Sequence, residues 1–329
     1  MKINSLIALM LLISLSACEK ALDYAINDTP VIVVNSFISP SEPITVNLSQ
    51  SILLTEADTI RKLSNAIVSV YCDNVYKEEL KYIKEGMYQS SFIPEANKTY
   101  QIKVSSSGLA TASAQTNIPE KPKIVSFVVD SFRSDRSDLR AKITFKDEAS
   151  IENYYFLSLK GYATKYKCIV DTVFYDGKTY YLPDCSIPDG DTLSYLSFLN
   201  KDPLLVSKAG TNSNETIDAI LGQTGDKTQI IKWIAFSDRA FNGTTQTISL
   251  DIFFYPMVNT SKPIFIELKS INKDYYQYLK SKYSADNTNN SAFNEPIKVF
   301  NNITGGAGIF GAYNLAVDSV TSVKKLLFK

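Results

Sequence analysis

The chain contains no histidine. That absence removes Ser-His-Asp and Cys-His catalysis, imidazole zinc sites and a histidine-based pH switch, since each needs a ring nitrogen. Cysteine is scarce: there are four, at positions 18, 72, 168 and 185, with no Cys-x-x-C spacing. Neither a dithiol redox motif nor a thiolate zinc site can be built from that set. Net charge is lacking too. Thirty-four basic residues balance 34 acidic ones, with no basic stripe for nucleic acid and no block of like charge. Beyond the first 17 residues no apolar run reaches the ~18 residues needed to cross a membrane as a helix. Carboxylate pairs, Ser-Lys pairs and all-oxygen calcium sites remain open.

What is present starts at the N-terminus. Lys2 supplies a positive charge, and Leu6 to Leu15 is apolar except for Ser14. The run is too short to span a bilayer and reads as a signal peptide over residues 1–17. Leu15-Ser16-Ala17-Cys18 places small residues before a cysteine, as in a bacterial lipobox. Cleavage before Cys18 and lipidation of its sulfur would tether the mature chain to a membrane. Two or more acyl chains suffice, because each buried methylene contributes about 0.8 kcal/mol. Residues 18–29 then read as a lipidated polar tether.

Twenty tyrosines, 17 phenylalanines and dense β-branched residues favour strands. Ile44, Val46 and Leu48 alternate, as do Tyr100, Ile102 and Val104, and Val31 to Ile38 and Ile67 to Tyr71 are β-rich. About seven short strands in some ninety residues predict an immunoglobulin-like antiparallel sandwich over residues 30–118. Ile118-Pro119-Glu120-Lys121-Pro122 marks a boundary, because two prolines break a ladder and stiffen a linker. A larger β domain follows over residues 119–329. Its candidate strands include Tyr154 to Tyr162, Tyr166 to Tyr175 and Lys178 to Leu182. Leu54 to Ser64 and Asp184 to Lys227 are polar and read as loops, the latter with some short structure. One helix is predicted near 273–284, capped by Asn272, with Asp274 in its first turn and Tyr275, Leu279 and Tyr283 on one face. The fold class is therefore mainly β: two antiparallel β-sandwich-like domains, the second with one amphipathic helix.

Few stretches carry chemistry. Thr304-Gly305-Gly306-Ala307-Gly308-Ile309-Phe310-Gly311 is the densest in glycine, but Gly-Lys-Ser/Thr is missing. It reads as a loop needing positive φ, with Ile309 and Phe310 plugging a core, followed by a strand from Tyr313 to Val320. Asp238 and Arg239 suit a loop-fixing polar contact before an Asn242-Gly243 turn. Asp184, Asp189 and Asp191 lack calcium-loop spacing and read as solvated. No catalytic, metal-binding or cofactor-binding residue is assigned, and no enzymatic activity is expected.

These pieces resemble a Bacteroidota lipoprotein family, the domain-of-unknown-function family 4249. The carriers are the lipobox at Cys18, Val31-Ile32-Val33-Val34-Asn35, Asn65-Ala66-Ile67-Val68-Ser69-Val70 with Gly86-Met87-Tyr88, and Tyr100. Further carriers are Phe236-Ser237-Asp238 with Phe241-Asn242-Gly243, Tyr275-Tyr276-Gln277-Tyr278-Leu279, and the stretch from Asn301-Asn302-Ile303 to Gly308-Ile309-Phe310-Gly311-Ala312. The resemblance covers nearly the whole mature chain, and the first domain, residues 30–118, also resembles the transthyretin-like sandwiches common beside outer-membrane receptors. It implies an outer-membrane setting, often beside TonB-dependent receptors, and hands over no catalytic residue. The function expected is a non-enzymatic accessory or ligand-binding lipoprotein of the outer membrane, associated with TonB-dependent uptake. The alternatives are a structural or adhesive surface protein and a carboxylate-based hydrolase. The partners expected are the membrane, through the lipid anchor, and a TonB-dependent receptor.

Two covalent features are also expected. Asp58-Thr59-Ile60 and Asp191-Thr192-Leu193 match a short O-glycosylation pattern of exported Bacteroidota proteins, with Thr59 and Thr192 in predicted loops. Asp176-Gly177 between two β-rich runs signals a two-residue hairpin. Counting seven steps outward from Tyr175 facing Lys178 brings Cys168 opposite Cys185 in a non-hydrogen-bonded pair. Such Cα atoms lie about 4.5 Å apart, within disulfide range, so a Cys168–Cys185 bridge is expected if the ladder has no bulge, leaving Cys72 as a free thiol.

Overall fold

The computed structural model describes residues 29–52, 60–131, 139–149, 151–175, 178–195, 197–199, 205–208, 214–216, 219–223, 230–253, 261–288, 297–321 and 324–325. The signal peptide, Cys18, most of the tether and Thr59 lie outside them, as do the hairpin residues Asp176 and Gly177.

The N-terminal unit contains β1 (Ile32–Ile38), β2 (Thr45–Gln50), β3 (Arg61–Lys62), β4 (Ile67–Cys72), β5 (Val75–Glu79), β6 (Lys81–Lys84), β7 (Met87–Gln89), β8 (Thr99–Ser105) and β9 (Ala112–Asn117). Strands β1, β2, β3, β7 and β6 form one sheet, and β5-β4-β8-β9 the other. The alternating residues face inward between them: Val34, Val46, Leu48, Val70, Ile102 and Val104 form one buried core. Arg61 and Lys62, expected in a loop, pair with Gln50 and Ser49, so a short strand replaces that part of it. Asp73 and Asn74 take positive φ values of 50° and 67°, the two-residue turn that joins β4 to β5.

The C-terminal unit contains β10 (Lys123–Ser131), β11 (Leu139–Lys146), β12 (Tyr154–Tyr175), β13 (Lys178–Tyr195), β14 (Ser197–Leu199), β15 (Leu205–Lys208), β16 (Asn214–Thr216), β17 (Ala219–Gln223), β18 (Ile230–Ser237), β19 (Thr245–Phe253), β20 (Ile264–Ile271), α1 (Lys273–Thr288), β21 (Gly306–Val320) and β22 (Lys324–Lys325). The β10–β11–β19 ladder and the β18–β12–β20 ladder share one core. Its centre is aromatic: Phe145 lies 5.1 Å from Tyr155, 6.2 Å from Phe236 and 5.9 Å from Phe241, ring centre to ring centre.

Two expectations about this unit are corrected. Tyr154 to Tyr162 and Tyr166 to Tyr175 are one 22-residue strand, whose outer half pairs with β13 as a ribbon. The polar span from Asp184 to Lys227 is not mainly loop, because the far half of β13 and strands β14 to β17 lie in it. Ladder pairing outweighs the poor strand propensity of Asp, Asn and Gly there.

Helix α1 reaches Thr288, one turn past the expected end. Buried Ala285 and the Lys282–Asp286 ion pair account for the extra turn. Asn272 caps it: its side-chain oxygen accepts from the Tyr275 amide at 3.2 Å. Tyr276 and Leu279 pack onto the C-terminal unit, with Tyr276 4.7 Å from Tyr154.

Strand β21 replaces the loop expected in the glycine-rich stretch, and it crosses back over the boundary placed at residue 118. Gly305 and Gly308 do take positive φ, and Ile309 and Phe310 are buried as expected. Residues Gly306 to Ala312 run parallel to β1, and Tyr313 to Val320 run antiparallel to β20. Ile303, Phe310 and Ala312 lie in the core of the N-terminal unit, although residues 119–329 were expected to form a separate domain. The last strand therefore stitches the two units together.

Candidate functional site

The units meet at a cleft of about 330 Å³. Asn97, Thr99 and Asn117 line it from the N-terminal unit, and Lys123, Lys146, Glu148, Asn153, Tyr155 and Ser270 from the other. The proline linker forms the remaining wall, and its Pro119 carbonyl accepts a 3.1 Å bond from the Asn314 side chain of β21. Asn272 bridges the units as well. Its amide donates to Thr116 on β9 at 2.8 Å, and its oxygen accepts from the Ala312 amide at 3.1 Å. Ligand sites occur preferentially at such junctions, because each unit contributes polar groups that a rigid joint holds in place.

Beneath the cleft lie two buried carboxylates, Asp147 and Asp238, each 1% exposed. Asp147 accepts from the Tyr155 hydroxyl at 2.5 Å and from the Gly243 amide at 2.7 Å. Burial, then the Asp147 carboxylate, holds the Tyr155 hydroxyl far above the ordinary phenol range. Asp238 Oδ2 accepts from the Asn153 backbone amide at 2.9 Å, while its Oδ1 has no hydrogen-bond partner among the described residues. Burial, with the neighbouring Asp147 charge, raises the Asp238 pKa. Arg239 pairs with Glu152 rather than with Asp238. Both neighbours thus fix the turn through Gly243, which has φ 78°, against the loop from Asp147 to Asn153. At the cleft itself Glu148 pairs with Lys123 at 2.5 Å, and that bond holds its carboxyl below the usual range.

The other residues singled out in the sequence scatter. Thr192 is exposed, but it sits on β13 opposite Ala163 rather than in a loop. Asp184 and Asp191 also belong to the β13 ladder, facing Ile169 and Thr164. The hairpin register holds as counted from Tyr175–Lys178 to Ile169–Asp184, then shifts between Ile169 and Lys167. A bulge therefore leaves Cys168 facing both Cys185 and Ser186, and the side chains of these residues are not among those described. Cys72 is a free, buried cysteine in the N-terminal core. Among the described residues no group of three or more His, Cys, Asp or Glu could hold a metal ion, and no helix is long and apolar enough to cross a membrane. Sequence reading missed Asp147, Asn153 and Tyr155. Their only local signal is an acidic, polar break after the alternating β11.

Residues 19–318 match a family described as domain of unknown function DUF4249. The curated proteins contain no match. Among solved structures, the collagen adhesin (CNA) from S. aureus aligns over 89% of this chain and 95% of that chain, at 10% identity and a TM-score of 0.22. A likeness of that degree carries no argument about binding.

Proposed function

The chain belongs to the DUF4249 family, and from that premise we propose a lipid-anchored accessory protein of the outer membrane that binds a ligand or receptor partner and catalyses nothing. The observation that carries the proposal is the jointed cleft, whose polar lining comes from both units. The nearby carboxylates support binding over hydrolysis, since Asp147 and Asp238, the latter despite its raised pKa, are both buried out of a substrate's reach. Asp147 is occupied by Tyr155 and Gly243, and Glu148 is held ionised by Lys123, which suits it poorly as a general acid. The anchor at Cys18 precedes β1 by fourteen residues, a tether that reaches at most about 50 Å. That keeps the cleft close enough to the membrane to serve an integral partner, and a TonB-dependent receptor is the partner proposed.

Two measurements test this. Cys18→Ala should move the protein from carbonate-washed membranes to the soluble fraction; a variant that still sediments removes the anchor. Affinity capture from solubilised native membranes should recover a TonB-dependent receptor with the wild-type protein. Repeated recovery of the protein alone removes the partner.

A further inference from the structure

The solvent-facing side of the β5-β4-β8-β9 sheet holds a second hollow, an open groove of about 610 Å³. Its floor is set by strand alternation. Val70, Ile102 and Val104 point into the core, so Tyr71, Gln101 and Lys103 point out into the groove. Gln115 of β9 extends the floor, and Asp274 and Thr304 form a wall where the helix begins and the chain turns toward β21.

These groups are held in place before any ligand arrives. Tyr76 meets Tyr71 edge-on, with ring centres 5.7 Å apart and planes at 72°. The Gln101 amide donates to Asn74 at 2.6 Å and to Gln115 at 3.0 Å. Asn302 donates to one Asp274 oxygen at 2.8 Å. What stays unpaired among the described residues is a mixed set: the Gln101 oxygen, the Gln115 amide nitrogen, the second Asp274 oxygen and the Lys103 ammonium. Among the described residues Lys103 and Asp274 are the only charged ones lining the groove, and they balance.

An aromatic face beside fixed amides, with donors and acceptors mixed and no net charge, is the chemistry that recognises a polyhydroxylated ring. The C–H face of a sugar packs on the tyrosine, and its hydroxyls exchange bonds with amide and carboxylate groups. An extended peptide fits worse. β8 is paired on both sides, and on the edge strand β9 Ser113 already exchanges both backbone bonds with Thr304, so the groove offers little free ladder for strand addition. A polyanion would need several cations where there is one. We infer that this groove binds a neutral oligosaccharide. It shares no lining residue with the cleft between the units, so the inference stands apart from the proposed partner there.

The test is calorimetric titration of the purified full-length protein with a panel of neutral hexose and N-acetylhexosamine oligosaccharides and with a neutral unstructured peptide. At least one oligosaccharide should bind with a dissociation constant at or below about 1 mM. Tyr71→Ala and Gln115→Ala should each weaken it about tenfold or more, and Lys146→Ala in the cleft should leave it unchanged. Gln115 is exposed, so its truncation leaves the core intact even if Tyr71→Ala loosens the sheet. The inference is overturned if no oligosaccharide in the panel binds, if binding ignores both groove substitutions, or if the peptide binds and loses affinity on those same substitutions.

Discussion

Gly308 adopts a φ of 111°, and a Cβ there would stand 2.0 Å from the Val34 carbonyl oxygen. Only glycine allows β21 to lie this close to β1. Gly308→Ala should therefore lower stability by roughly 3 kcal/mol, combining backbone strain with a clash against a buried strand. A chemical-denaturation midpoint unchanged from wild type would refute the close packing. Asp238 makes the opposite kind of prediction. Its folded pKa is raised, so the folded state holds more protons than the unfolded one between the unfolded value near 3.9 and the folded value. Stability contributed by this group falls as pH rises through that window. Asp238→Asn keeps an oxygen for the Asn153 amide and removes the buried charge. The variant should melt at or above the wild-type temperature near neutrality, and the gap should close in acid. Melting curves for both proteins across that range check it, and a gap independent of pH would dismiss the buried-charge argument.

At the scale of elements, the β12–β13 ribbon shows how far local chemistry reaches. A two-residue turn signal was enough to obtain the pairing from Tyr175–Lys178 to Ile169–Asp184, because register propagates along a regular ladder. It failed at the next step, where an extra residue enters β13 and Cys168 faces two residues instead of one. A bulge of that kind has no composition signature. Cys185 remains beside Cys168 in the register, so a bridge between them is predicted. It would contribute roughly 3 kcal/mol by restricting the unfolded chain. Alkylation of denatured, unreduced protein and peptide mapping should find both cysteines protected, and alkylation of both would eliminate the bridge. Asn272 was legible for the same local reason as the turn: a cap and its helix are neighbours in sequence. Its bonds to Thr116 and Ala312 were not, since those partners lie far along the chain.

For the whole molecule, β21 decides cooperativity. One strand belongs to the ladders of both units and carries core residues of the first, so neither unit can lose it alone. The protein should unfold in a single transition. Trp233, the only tryptophan, lies in the C-terminal unit on β18, stacked 5.0 Å from Phe156. Its fluorescence reports that unit, while far-ultraviolet circular dichroism reports both. The two melting curves should coincide, and separated midpoints would show that the stitch does not couple the units.

The amino-acid sequence by itself determined the β class, the inward-facing residues of the N-terminal sandwich, the capped helix and the early register of the ribbon. Each follows from side chains close together along the chain, through alternation, capping or turn geometry. Only the tertiary structure decided that Gly306 to Ala312 would lie parallel to β1, that Asp147 and Asp238 would be buried at Tyr155, and that a cleft would open between the units. Those features join residues far apart in sequence. Their partners are chosen by which surfaces the folded units leave unpaired, a quantity that no local window of residues contains.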